Sequence, residues 1–143
     1  MNVIFQHKGG GLFGFLIKLW TRSRFNHVEL EFSDGTRFSA YPKGGTQFKA
    51  PLTAFEQHQW VRVPLLIALD HEIDLRNWCH SELACRYDWA GILLTQIFPI
   101  GRHSKTKWFC SEVCAAALAP AFATIGKLKP HRISPAKLYR LMK

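Results

Sequence analysis

The sequence predicts one compact globular domain over residues 1–143 that mixes strands with helices, and three observations predict it. First, 143 residues at 48% apolar and 20% charged suit a single buried core rather than a disordered chain. Second, short or alternating apolar runs fill much of the chain up to residue 64. Third, apolar residues recur near the helical period at 12–22 and again through most of the chain beyond residue 70. No repeat, low-complexity tract or linker divides it.

Asn2 to Gln6 reads as a short buried strand ending at the Gly9-Gly10-Gly11 break. Leu12, Phe13, Phe15, Leu16, Leu19 and Trp20 then predict a helix over 12–22. Asn26 to Phe32 alternates, with His27, Glu29 and Glu31 on one face and Val28, Leu30 and Phe32 on the other, as in a half-buried strand. Ser33-Asp34-Gly35 makes a hairpin turn, and Thr36 to Tyr41 is the returning strand. Phe48 begins a further short strand, and Trp60 to Pro64 forms another. Asp70 to Tyr87 reads as a helix with Ile73, Leu75, Trp78, Leu83 and Ala84 as candidate buried positions. Trp89 to Phe98 is a second apolar helix closed by Pro99 and Gly101, and Lys105 to Lys107 is a polar loop. Cys110 to Ala119 is an alanine-rich helix stopped by Pro120, and Ser134-Pro135 caps a last short helix to Leu141.

Nineteen Lys and Arg against ten Asp and Glu give a formal charge of +9, which favours anionic partners: nucleic acid, anionic lipid or an acidic wall polymer such as peptidoglycan. The cations are scattered, and the densest clusters, Lys105 with Lys107 and Lys127 with Lys129, accompany no zinc-finger, recognition-helix or aromatic-basic motif. Specific nucleic-acid binding is therefore not expected. The four cysteines (79, 85, 110 and 114) form no C-x-x-C pair, so Cys79 and Cys85 are expected to pack as small apolar residues rather than join His80 around a metal. The N-terminus has no basic n-region or cleavage site, and Leu12 to Trp20 is too short to span a bilayer. Synthesis in the cytoplasm is the expectation, with any action elsewhere requiring a route other than a standard signal.

Trp108-Phe109-Cys110-Ser111-Glu112 places a cysteine where a polar loop becomes a helix. Free first-turn amides there lower a thiol pKa and are natural donors to an oxyanion, which nominates Cys110 as nucleophile and the amides around Cys110 and Ser111 as oxyanion donors. The alternative is a buried cysteine beneath a helix cap. Cys114, one turn deeper, is expected to pack. Among seven histidines, His27 stands out as general base because it sits within a strand on the polar face, while the others fall in loops or at helix ends. Two residues compete to orient it. With Gly35 as the third loop residue, position 29 pairs with 39 and Ser39 shares the face of His27; Glu29 is the alternative and the stronger partner for an imidazolium. Tyr87, in Tyr87-Asp88-Trp89, either reaches a substrate carbonyl or packs on the core beside an N-cap at Asp88.

An early apolar helix, Asn26-His27-Val28-Glu29-Leu30, a hairpin to Phe38-Ser39-Ala40, Tyr87-Asp88, and Phe109-Cys110-Ser111-Glu112 occur in that order. The order resembles the circularly permuted branch of the NlpC-like papain-fold superfamily, which includes YiiX-like and YaeF-like hydrolases and the lecithin retinol acyltransferase group. The likeness spans roughly residues 2–118. It implies an α+β fold in which an antiparallel sheet packs against helices and presents His27 to Cys110 at a helix N-terminus. The family's third polar residue falls at or near Ser39, where such enzymes often use His, Asn, Gln or Glu. The activity implied is acyl transfer through a thioester, with no metal or organic cofactor. The first expectation is a thiol peptidase or amidase of the peptidoglycan stem peptide, either a phage lysis factor or an antibacterial effector exported by a non-Sec route and countered by a cognate inhibitor. A lipid or ester hydrolase or acyltransferase is the second expectation, drawing on Leu12 to Trp20 as a membrane-docking helix. A non-enzymatic binding module on the same scaffold is the third.

Overall fold

The computed structural model describes residues 1–21, 23–89 and 106–143. Five strands, β1 (Asn2–Gln6), β2 (His27–Glu31), β3 (Arg37–Tyr41), β4 (Gly45–Lys49) and β5 (Trp60–Pro64), form one antiparallel sheet in the order β4-β3-β2-β1-β5. Helix α1 (Gly11–Thr21) links β1 to β2, and a short helix α2 (Ala54–Gln57), capped by Thr53 and Glu56 in a reciprocal box, precedes β5. Helix α3 (Leu69–Ser81) follows. Then β6 (Arg86–Tyr87) pairs in parallel with β7 (Lys107–Trp108), which leads directly into α4 (Cys110–Leu118). Short α5 (Ala123–Gly126), a 3-10 turn at Pro130–Arg132 and α6 (Pro135–Met142) complete the chain, with the Ser134 hydroxyl capping α6 through the Lys137 amide. The architecture is α+β.

Register assigns the two faces of the sheet. Phe5 opposes Val28, and Val3 opposes both Leu30 and Val63, so these residues and Phe38 share an apolar face that joins Val113, Cys114, Ala115 and Leu118 of α4 in the core. The opposite parity carries His27, Glu29, Glu31, Arg37 and Tyr41. The hairpin register is the one Gly35 predicts. Phe32 donates to the Thr36 carbonyl at 2.8 Å, Leu30 opposes Phe38, and Gly35 sits at φ 84°. The backbone ladder of β2 and β3 runs through Leu30 and Glu31. At Val28 the carbonyl instead accepts from the Ser39 hydroxyl at 2.7 Å and the Cys114 sulfur at 3.7 Å, so α4 meets the sheet where side chains replace ladder bonds.

Two expectations need correction. The helix from Asp70 does not reach Tyr87: it stops at Ser81, Ala84 takes a positive φ of 60°, and Arg86–Tyr87 is a strand. Ile73 and Leu83 are exposed, whereas Glu72, Leu75 and Cys79 form the buried side. Glu72 accepts from the amide and hydroxyl of Ser33 at 2.6 Å each, tying α3 to the hairpin turn. Likewise, Lys107 belongs to β7 rather than to a loop. The helix expected over 89–98, apart from Trp89, lies outside the described residues, as do Lys105 and His103. No helix of the described residues is long and apolar enough to cross a membrane.

Candidate active site

The chain around residue 45 brings the late elements to the sheet. A Cβ on Gly45 would collide with the Cys85 carbonyl, and Gly45 also adopts a positive φ of 67°, so only glycine permits this approach. Thr46 then exchanges backbone bonds with both Ala84 and Cys85 at 3.0 Å, and its hydroxyl accepts from the Cys85 amide at 2.9 Å. From there Tyr87 runs beside Trp108, the Asp88 amide donates to the Trp108 carbonyl at 2.9 Å, and Phe109 becomes the N-cap of α4. Phe109 offers no side-chain oxygen, so the first-turn amides at Cys110 and Ser111 carry no side-chain cap.

Cys110 and His27 meet at this helix start. Cys110 lies close enough for its sulfur to act on the imidazole, is 4% exposed, and has Cys114 packed one turn deeper against Val28. Nε2 of His27 stands 3.2 Å from Oε1 of Glu29, an ion pair without the alignment of a hydrogen bond. The other carboxylate oxygen, Oε2, accepts from Nη1 of Arg37 at 2.9 Å. Of the two candidate orienting residues, Glu29 is the one in contact with the imidazole, while the Ser39 hydroxyl is given to Val28. The Tyr41 ring lies 5.1 Å from the imidazole and Trp60 packs edge-on at 6.1 Å.

Burial alone would push the His27 pKa down. The nearby sulfur of Cys110, followed by the carboxylate of Glu29, outweighs it and raises the value from 6.5 to about 9. Burial works on Glu29 in the opposite sense, and the contact with His27 and its charge, with the charge of Arg37, hold its carboxyl below the ordinary range. The Tyr87 phenol is pushed far up, first by burial and then by the charge of Cys110, and so stays a protonated donor beside the sulfur. Burial likewise keeps Cys114 and Cys79 as thiols.

A cavity of about 380 Å³ opens on the polar sheet face, a volume suited to a small ligand or a peptide side chain. His27, Glu29, Arg37, Tyr41, Trp60 and Tyr87 are among its walls, and Cys110 is not. Gly10 and Gly14 of the α1 entry form another part of the wall because Asn26 fills the space a Cβ would need, its Nδ2 donating to the Gly9 carbonyl at 3.1 Å. Ser111 is fully buried and its hydroxyl has no protein partner. Among the described residues no group of His, Cys, Asp and Glu could hold a metal ion. The 29-to-39 register expected from the sequence puts Tyr41 on the face of His27 with Ser39; Arg37 is the residue sequence reasoning missed, and the same parity was its signal. Neither a scan against protein-family models nor a search of curated proteins finds a match to this chain.

Proposed function

We propose that the chain is a cysteine hydrolase of permuted papain-like, NlpC-like architecture that transfers an acyl group through Cys110. The observation that carries this reading is the Cys110–His27–Glu29 sequence of contacts at the start of α4, with uncapped first-turn amides beside the sulfur. His27 takes the thiol proton, and the thiolate attacks an amide carbonyl. The backbone amides at Cys110 and Ser111 receive the oxyanion, and the Tyr87 hydroxyl adds a donor from the cavity side. Collapse breaks the C–N bond while the imidazolium returns its proton to the departing amine. Water then attacks the thioester, giving its proton to His27, and the carboxylic acid leaves as the thiol reforms. The chemistry needs no metal or organic cofactor.

The substrate class we favour is the peptidoglycan stem peptide, by resemblance and because a charge of +9 suits an anionic wall. Such a role requires delivery to the periplasm or to a target cell, as for a phage lysis factor or an antibacterial effector with a cognate inhibitor. A second reading, a lipid or ester hydrolase, is favoured by one observation: Phe15 and Leu19 of α1 are 60% and 61% exposed while Gly14 and Ile17 of the same helix line the cavity. Mass spectrometry of purified peptidoglycan incubated with wild type and Cys110→Ala tests the proposal. Defined stem-peptide fragments made only by wild type support it. No fragments, with Cys110 still alkylated quickly by iodoacetamide at neutral pH, would move the substrate to lipids and esters. An inert thiol would leave a binding module and defeat the enzyme reading.

A further inference from the structure

We propose that Arg37 is a positioning residue of this site, clamping the Glu29 carboxylate so that it faces the imidazole of His27. The proposal rests on the Cys110–His27 reading above. Arg37 stands on β3 opposite Glu31, which makes it the diagonal neighbour of Glu29 and within reach of a long side chain. Its guanidinium divides between two acceptors on either side of its own strand. Nη1 donates to Glu29 Oε2 at 2.9 Å, and Nε donates to the Ala50 carbonyl, just past β4, at 2.8 Å. The two carboxylate oxygens are thereby assigned, Oε2 to Arg37 and Oε1 to Nε2 of His27 at 3.2 Å.

A planar fork anchored at two points fixes the rotation of that carboxylate, which a lysine's single ammonium would not. Both charged side chains are nearly out of water, at 9% and 2% exposure, and a buried pair of this kind is seldom retained for stability alone. The clamp gives it a different use. Without Arg37, Glu29 would be a buried carboxylate with one cation fewer, free to turn from His27 or to take up a proton. The other ionisable groups around the pair are Cys110 and Cys114 from α4, Tyr41 from β3 with Lys49 Nζ 3.6 Å above its ring, and Glu56 and Tyr87 on the cavity wall.

Titration of His27 by NMR on histidine-labelled protein, alongside iodoacetamide labelling of Cys110, provides the test. Arg37→Gln should lower the His27 midpoint by about one pH unit or more and slow labelling at pH 7 roughly tenfold. Glu29→Gln should do the same, and the double variant should fall no further than Glu29→Gln alone. Arg37→Lys, which keeps the charge and loses the fork, should lie between Arg37→Gln and wild type, and it serves as the readout if Arg37→Gln does not fold. A His27 midpoint unmoved or raised in a folded Arg37 variant would overturn the clamp, as would additive effects in the double variant. A wild-type thiol that resists iodoacetamide, with the His27 midpoints moving as stated, would defeat the acyl-transfer reading and leave the clamp standing.

Discussion

The imidazole of His27 lies between a sulfur and a carboxylate, and its titration sets two limits on the protein. Its pKa rises on folding from 6.5 to about 9, so the stabilisation it contributes is complete below pH 6.5 and disappears as pH climbs through about 9. Urea midpoints measured between pH 6 and 10 should therefore fall across that window, and the fall should vanish in His27→Gln. Turnover should drop above about pH 9 in the same way, because the imidazolium that protonates the leaving amine is then lost. Tyr87→Phe should cut kcat about tenfold or more while leaving the rate of Cys110 alkylation unchanged, the pattern of a donor that acts on the substrate rather than on the thiol. Ser39→Ala is expected to cost about 1 kcal/mol of stability in urea unfolding and to leave labelling of Cys110 intact, since its hydroxyl serves Val28. The choice between Ser39 and Glu29 was not legible in the sequence. Register brought both to the right face, and only the side-chain geometry shows the Ser39 hydroxyl taken up by the backbone.

At the scale of elements, the approach of the Ala84–Tyr87 segment to β4 decides where the Tyr87–Trp108 pair stands ahead of α4. Gly45→Ala should cost about 3 kcal/mol in chemical denaturation, combining a left-handed backbone with a clash against the Cys85 carbonyl. Sequence patterning found the early elements well because each has its own period and its own punctuation. Trp60–Pro64 keeps its expected bounds, and Gly35 correctly specified the hairpin register. The segment after Ser81 was misread because Leu83 and Ala84 continue the helical period with no Gly or Pro to interrupt it. What ends the helix is Ala84 in a conformation that a residue with a Cβ seldom adopts, held by its amide's bond to the Thr46 carbonyl. A contact with a strand almost 40 residues earlier leaves no local mark on the sequence.

Across the whole molecule, a formal charge of +9 should concentrate the protein on anionic polymers; under the proposed function, hydrolysis of insoluble wall should slow about tenfold as salt screens it, while alkylation of Cys110 stays constant. The Arg37–Glu29 pair lies inside that excess charge, and strand alternation alone does not show that both residues are buried, with Arg37 bonded to the Ala50 carbonyl of the β4–α2 connection. The sheet also ends differently on its two sides. The edge of β4 is taken up by Ala84 and Cys85, whereas among the described residues β5 pairs only with β1. Pro64 removes one donor from that outer rim, while the Arg62 guanidinium turns inward to Glu31. Among the described residues, self-association by strand addition therefore has one rim open to it, and mutual repulsion between like-charged copies guards it. Concentrated stocks held in high salt would lose that guard first, so colloidal shelf life should depend on ionic strength well before the fold itself does.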